Sequence, residues 1–262
     1  SGAVQRNMLG MGFVLGLAYG LDRASPLRSR APRAPPLVFV CNHRCRVDWM
    51  YVWIVCVAAG RAGALKIILK DSLRAMPAVG WAMQCLGFVF LSRRDREKDV
   101  PRIRRMTRLS LRGDPASAFL IFPEGSDMSP AAMERAHRYA AQRGLAPRFQ
   151  TLFPKSRGLA HCLAAAAEGG ASAGAGDAAR AVEVCDLTVA YRDFEDGERP
   201  NELTFLAGRF PREVHLRVEP LGDPPAPTEA AVAAWVRASF DRKEDALRRW
   251  YGGGGGGGGG GG

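Results

Sequence analysis

The sequence predicts an α/β domain with one central, mostly buried mixed sheet flanked by helices. Three observations point there. Short runs of β-branched and aromatic residues recur at 37–41, 118–122 and 182–191, and each is short enough for a strand and apolar enough for a buried one. Segments with apolar residues at helical spacing separate them. The clearest is 99–112, with Ile103, Met106 and Leu109 or Ser110 on one side and Arg102, Arg105, Arg108 and Arg112 on the other. Finally, 262 residues of which 47% are hydrophobic suffice for a sizeable core.

Taken in order, residues 8–21 form the first apolar stretch, interrupted by Gly10, Gly12, Gly16 and Gly20 and flanked by Arg6 and by Asp22 with Arg23. It falls short of the roughly 20 apolar residues that a spanning helix needs. It predicts an N-terminal membrane-associating helix that lies in the interface or dips into one leaflet. An ordinary buried helix and a signal-peptide core are its other readings. Residues 25–36, with four prolines among arginines, read as a linker. The chain therefore divides into an apolar helix and Pro/Arg linker at 1–36, a folded domain at 37–251, and an unbroken glycine run at 252–262 that predicts disorder.

Within the folded domain, residues 37–41 predict a strand and 49–59 a helix. Residues 64–69 predict a second strand. Lys70, Asp71 and Ser72 can start a helix containing Trp81 and Met83, and Pro77, which interrupts that pattern, allows a start after it instead. Residues 87–91 are a short strand, 99–112 an amphipathic helix and 118–122 another strand closed by Pro123. Residues 130–143 predict a helix with Pro130 in its first turn and Gly144 as its stop. Residues 159–168 are helical, the Gly/Ala/Ser-rich 169–177 a flexible loop, 182–191 and 213–218 strands, and 228–251 a long amphipathic helix.

The formal net charge of +11 comes mainly from arginine, with very few lysines. Such a balance favours anionic partners: phosphorylated small molecules, acidic headgroups or nucleic acid. Coding bias toward alanine, glycine and arginine is the plain alternative. The six cysteines form no Cys-x-x-Cys pair and sit mostly in apolar stretches, so they read as buried free thiols. Cys41, His43 and Cys45 alternate without the usual zinc-site spacing, and no metal site is expected.

Four constellations carry chemistry. First, an apolar run ends in Asn42-His43, and Asp48 follows five residues after the histidine. Five helical steps rotate by about 500°, so the two would not share one helix face. They cooperate only if the helix starts between them, with His43 in the loop after the strand and Asp48 in the first turn, where the helix dipole favours a carboxylate. Asn42 can fix that turn through its amide. Second, the 87–91 strand delivers Arg93, a residue type that grips phosphate with two hydrogen bonds. Third, Phe122-Pro123-Glu124-Gly125-Ser126 ends a strand with a carboxylate, a glycine that permits close approach and a hydroxyl. Fourth, Lys155 and Arg157 leave an apolar approach at 152–158.

Taken together these resemble the glycerolipid acyltransferase family. Its His-x4-Asp corresponds to His43 and Asp48, its Gly-x-x-Phe-x-x-Arg to Gly87, Phe90 and Arg93, and its Phe-Pro-Glu-Gly to Phe122, Pro123, Glu124 and Gly125. Further stretches at 42–50, 80–84, 122–127, 154–158, 186–191 and 210–215 look like the branch of lysocardiolipin and lysophosphatidic acid acyltransferases. Two departures stand out: Ser126-Asp127 follow Glu-Gly where many relatives carry Thr-Arg, and Lys155 stands where this branch often has arginine.

The resemblance implies a glycerol-3-phosphate acyltransferase-like fold. It also implies transfer of an acyl group from acyl-CoA to the free hydroxyl of a lysophospholipid at a membrane surface, with residence in the endoplasmic reticulum. His43 would be the general base and Asp48 its partner. Asn42, Gly87, Phe90, Arg93, the 122–126 segment, Lys155 and Arg157 would contribute to substrate binding. Acyl-CoA is then a co-substrate, and no cofactor is expected. The acceptor could instead be glycerol 3-phosphate. Outside that reading stand an inactive lipid- or acyl-CoA-binding module of the same fold and a basic nucleic-acid-binding protein; no nucleic-acid partner is expected, for want of a recognisable binding module.

Overall fold

The computed structural model describes residues 4–8, 11–15, 35–58, 63–76, 79–92, 95–172, 182–192, 201, 204, 207–209, 211, 213–221 and 224–252. In chain order these contain β1 (Val4–Met8), β2 (Met11–Leu15), β3 (Leu37–Cys41), α1 (Asp48–Ala58), β4 (Leu65–Lys70), α2 (Val79–Cys85) and β5 (Val89–Leu91). There follow α3 (Arg96–Gly113), β6 (Ala118–Ile121), α4 (Pro130–Arg143), α5 (Arg157–Ser172), β7 (Glu183–Arg192), β8 (Glu213–Leu221) and α6 (Glu229–Gly252).

Six strands form one sheet in the order β5-β4-β6-β3-β7-β8. The first five are parallel, and β8 returns antiparallel to β7. The sheet is therefore mixed, with helices on its faces, as the alternation of strand and helix patterns predicts. Parallel neighbours need crossover connections, and helices supply them. Pro220, which cannot donate to a ladder, lies on the edge strand β8.

β3 is central and every one of its residues is buried. Its side chains alternate between faces. Leu37, Phe39 and Cys41 join Tyr51, Val52 and Val55 of α1 in one core layer. Val38 and Val40 join Ile103 of α3, Leu159 and Leu163 of α5, and Val236 and Phe240 of α6 in the other. Burying a large apolar side chain such as Phe39 or Phe119 contributes about 1.5–3 kcal/mol, so a strand buried on both faces anchors whatever follows it.

Two local differences from the sequence reading have physical reasons. Val4–Met8 and Met11–Leu15 pair as an antiparallel hairpin rather than a helix, with Met8 opposite Met11. Each glycine in a helix interior costs about 1 kcal/mol, and this stretch carries several. The rest of the expected N-terminal helix, most of the 25–36 linker and residues 253–262 of the glycine run lie outside the described residues. After β4, residues Asp71–Ala75 form a single 3-10 turn, and α2 begins at Val79, after Pro77 as the sequence allows. Finally, α5 continues through Gly169 to Ser172. Gly169 faces Leu111 of α3, and a β-carbon there would meet Leu111 Cδ1 at 2.7 Å. The glycine that suggested a loop thus lets two helices approach closely; residues 173–177 of the expected loop are outside the described set.

Candidate active site

The carboxyl ends of parallel strands are where α/β sheets bind ligands. Here β3 ends into Asn42 and His43, and β6, its neighbour, ends into Phe122 and the Pro-Glu-Gly corner. α1 begins at Asp48, so the helix does start between the histidine and the acid. His43 Nδ1–H donates to Asp48 Oδ2 at 2.8 Å. The carboxylate partner fixes the tautomer and leaves Nε2 as the acceptor.

Asp48 is fully buried, at the dipole-favoured start of α1. Four donors satisfy it. Oδ2 accepts from His43 and from the Cys45 backbone N–H at 3.0 Å. Oδ1 accepts from the Cys45 thiol at 3.0 Å and from the Tyr191 hydroxyl. Tyr191 is the penultimate residue of β7, which pairs with β3. Burial, reinforced by the charge of Asp48, pushes its phenol well above the usual value, so it remains a donor. Burial likewise raises the Cys45 and Cys41 thiols, which favours their protonated forms.

His43 is held from three sides by the segment after β6. Its N–H donates to Glu124 Oε2 at 3.2 Å, its carbonyl accepts from the Met128 N–H at 3.1 Å, and its ring stacks on Phe122 with centroids 4.2 Å apart. The segment is shaped by a tight turn, Gly125 N–H to Phe122 carbonyl at 3.0 Å, with proline second and glycine fourth. Gly125 has φ of 72°, and a β-carbon there would approach the Lys155 amine at 3.5 Å. Lys155 N–H closes on the Pro123 carbonyl at 2.9 Å, bringing its side chain beside the corner. Burial holds the Glu124 carboxyl well above its ordinary value, against the pull of the His43 hydrogen bond. Next to this corner Glu124, Ser126, Arg135, Tyr139, Phe153 and Lys155 line a cavity of about 290 Å³.

A second layer comes from the C-terminal helix. The Tyr191 N–H donates to the Tyr251 hydroxyl at 3.0 Å, and the Arg44 guanidinium lies over the Tyr251 ring at 4.4 Å. Arg44 also donates to the Gln150 carbonyl at 3.1 Å. Glu244 accepts from Phe149 N–H at 2.8 Å, Gln150 N–H at 3.0 Å and the Thr151 hydroxyl at 2.9 Å, fixing the loop that leads to Lys155.

Several other residues expected to bind substrate make contacts of their own. Asn42 is fully buried; its amide donates to the Val189 carbonyl at 3.1 Å and accepts from the Val189 N–H at 2.8 Å. It clasps β3 to β7. Gly87 precedes β5, at the opposite end of the strand from the site; its φ of 71° makes it a turn residue. Phe90 is core, packed with Phe88 and Met83. Arg157 is ion-paired with Glu229 at 3.2 Å. Arg93 lies outside the described residues. His43, Asp48, Phe122, Pro123, Glu124, Gly125, Ser126 and Lys155 are brought together. Tyr191, Met128, Arg44 and Tyr251 were given no role from the sequence. Their places depend on strand register and on contacts across the chain, which no local pattern encodes.

The sequence profile of the family described as Acyltransferase matches residues 27–192. The chain belongs to this family. It is 33% identical over 216 residues to "Lysocardiolipin acyltransferase 1" of Danio rerio, covering 82% of this chain and 52% of that protein. It is 31% identical over 225 residues to "Probable 1-acyl-sn-glycerol-3-phosphate acyltransferase 5" of Arabidopsis thaliana, covering 85% of this chain and 55% of that one. It is 25% identical over 253 residues to "2-acyl-1-lysophosphatidylinositol acyltransferase" of Saccharomyces cerevisiae, covering 82% and 61%. The chain thus spans little more than half the length of the first two of these curated relatives.

Proposed function

We propose that this chain transfers a fatty acyl group from acyl-CoA to the free hydroxyl of a lysophospholipid. The observation that carries the reading is the 2.8 Å contact of His43 Nδ1 with a buried, fully hydrogen-bonded Asp48, which leaves Nε2 of a half-buried ring as a proton acceptor. A lipid hydroxyl is a poor nucleophile at neutral pH. His43 Nε2 takes its proton as the oxygen attacks the thioester carbon. Asp48 offsets the positive charge that forms on the ring. Collapse of the tetrahedral intermediate breaks the C–S bond, and the departing sulfur takes the proton from the imidazolium. The new ester and free CoA thiol balance the reaction without a redox change.

At the Pro-Glu-Gly corner, Lys155 supplies a cation and Ser126 a hydroxyl for the acceptor or the CoA phosphates, and the resemblance assigns Arg93 the acceptor's phosphate. The catalytic unit in this reading is 37–251. The relatives are named for several headgroups, lysocardiolipin, lysophosphatidylinositol and 1-acylglycerol 3-phosphate among them, so the reading stops at the class of acceptor. Membrane association, with the endoplasmic reticulum as its site, belongs to the same proposal.

Turnover of isotope-labelled oleoyl-CoA with a panel of lysophosphatidic acid, lysocardiolipin, lysophosphatidylinositol and glycerol 3-phosphate, read by mass spectrometry, tests it. His43→Ala should lose about 10²–10⁴-fold in kcat while keeping its circular-dichroism spectrum. Unchanged turnover in that variant refutes the base assignment. Tight acyl-CoA binding without turnover by the parent chain would favour an inactive binding module.

A further inference from the structure

α2 packs Gly80 and Met83 inward and leaves Trp81, Ala82 and Cys85 exposed, with Leu86 just beyond its end. Trp81 is 75% exposed and Leu86 39%. The helix lies hard against the preceding 3-10 turn, because a β-carbon on Gly80 would meet the Arg74 carbonyl oxygen at 2.3 Å. Its outer face is therefore fixed, and it carries no charged side chain. A single exposed apolar residue is ordinary, but an unbroken apolar face centred on a tryptophan is not.

Cations frame this face. Lys66 Nζ donates to the Leu86 carbonyl at 2.9 Å, and Arg74 Nε donates to Gln84 Oε1 at 2.9 Å. Lys70 is exposed at the end of β4. The nearby acid, Asp71, faces Arg102 at 3.7 Å. Met83 joins the core layer that also contains Tyr51 and Val52 of α1, so α2 occupies the sheet face from which Asp48 is delivered.

We propose that the exposed face of α2 docks onto an anionic lipid bilayer, with Trp81 and Leu86 at headgroup depth and Lys66, Lys70 and Arg74 against the lipid phosphates. Tryptophan favours the membrane–water boundary because its ring is apolar and its N–H polar. Basic side chains near an acidic leaflet add about 1 kcal/mol each. The proposal rests on the acyltransferase reading, in which the acceptor arrives from a bilayer.

Cys85 offers the test, since it is the exposed one of the six cysteines and the other five are buried. The full chain is labelled there with a polarity-sensitive thiol fluorophore and mixed with vesicles of phosphatidylcholine alone or with phosphatidylserine added. The expected result is a blue-shifted emission, quenched by nitroxide-bearing lipids, in the phosphatidylserine vesicles. Trp81→Asp in the unlabelled chain should weaken vesicle co-sedimentation roughly tenfold and leave turnover of a short-chain, water-soluble lysophospholipid unchanged. Co-sedimentation of Trp81→Asp equal to the parent overturns the proposal. So does a fluorophore that stays in water while the protein sediments, or an emission shift that needs protein concentration and no lipid, the mark of a second copy or another protein segment on this face. Either outcome leaves the enzymatic reading standing if the soluble substrate is turned over. Vesicle docking with no turnover of any acceptor would sink the enzymatic reading and keep the surface.

Discussion

The Tyr191 hydroxyl donates to Oδ1 of Asp48, the oxygen that His43 does not use. The dyad is thereby a triad of positions drawn from the loop after β3, from α1 and from β7. Tyr191 does not reach the reacting atoms; it acts by fixing the carboxylate.

Tyr191→Phe removes the hydrogen bond to the buried charge of Asp48 and the 3.4 Å contact of the Cys45 thiol with the same hydroxyl. Such bonds contribute about 1.5–3 kcal/mol, so kcat should fall roughly tenfold or more with KM unchanged. Steady-state kinetics at saturating acyl-CoA read this. A change confined to KM would assign Tyr191 to substrate binding.

Asn42→Ala leaves both polar groups of Val189 without their partner in the core. The expected cost is about 2–4 kcal/mol of stability, measured by urea denaturation, together with lost turnover as the end of β3 loosens.

Glu124→Gln should stabilise the protein, and more so as pH rises. Burial raises the folded-state pKa of Glu124 above its unfolded value. The carboxylate therefore costs stability increasingly from the ordinary carboxylate value up through the raised one. Melting temperatures compared at about pH 5 and about pH 8 should diverge in the variant's favour at the higher pH. Glu124→Ala, which removes the acceptor for the His43 N–H, should lose activity that Glu124→Gln retains.

Glu244 has the opposite sign. Burial pushes its pKa up, but hydrogen bonds from Phe149, Arg248, Thr151 and Gln150 outweigh that and lower it. Its contribution is complete above the ordinary carboxylate value and disappears as pH falls through the lowered one. The stability deficit of Glu244→Gln, measured by denaturant titration, should therefore be constant near neutrality and shrink in acid.

N-ethylmaleimide should modify Cys85 of the folded chain and spare Cys41 and Cys45, whose thiols burial holds protonated. Peptide mapping reads the sites. Turnover of a soluble acceptor by the modified protein should match the parent, which shows that the Cys85 thiol takes no part in the chemistry.

Much of this was legible in the sequence. The α/β order, the strand before His43 and the helix start at Asp48 follow from periodicity and from the dipole preference of an acid at a first turn. The Phe122 to Gly125 corner follows from its own turn chemistry. Roles that depend on register were not legible. Asn42 and Gly87 belong to the same blocks as the site residues, yet one is turned into the β3–β7 seam and the other lies before β5. Tyr191 reads locally as a strand residue, and its place beside Asp48 follows only from the pairing of β7 with β3. Gly169 read as a breaker because nothing local announces that Leu111 lies against it.

α6 begins after the last residue matched by the family profile, at Glu229 against Arg192. Yet its Tyr251 bonds the Tyr191 backbone and its Glu244 steadies the loop under Arg44. Recognition by signature and competence for chemistry therefore have different borders in this fold. A polypeptide ending at residue 192 would carry His43, Asp48 and the Phe122 to Gly125 corner and lack the buttress that keeps them in working alignment.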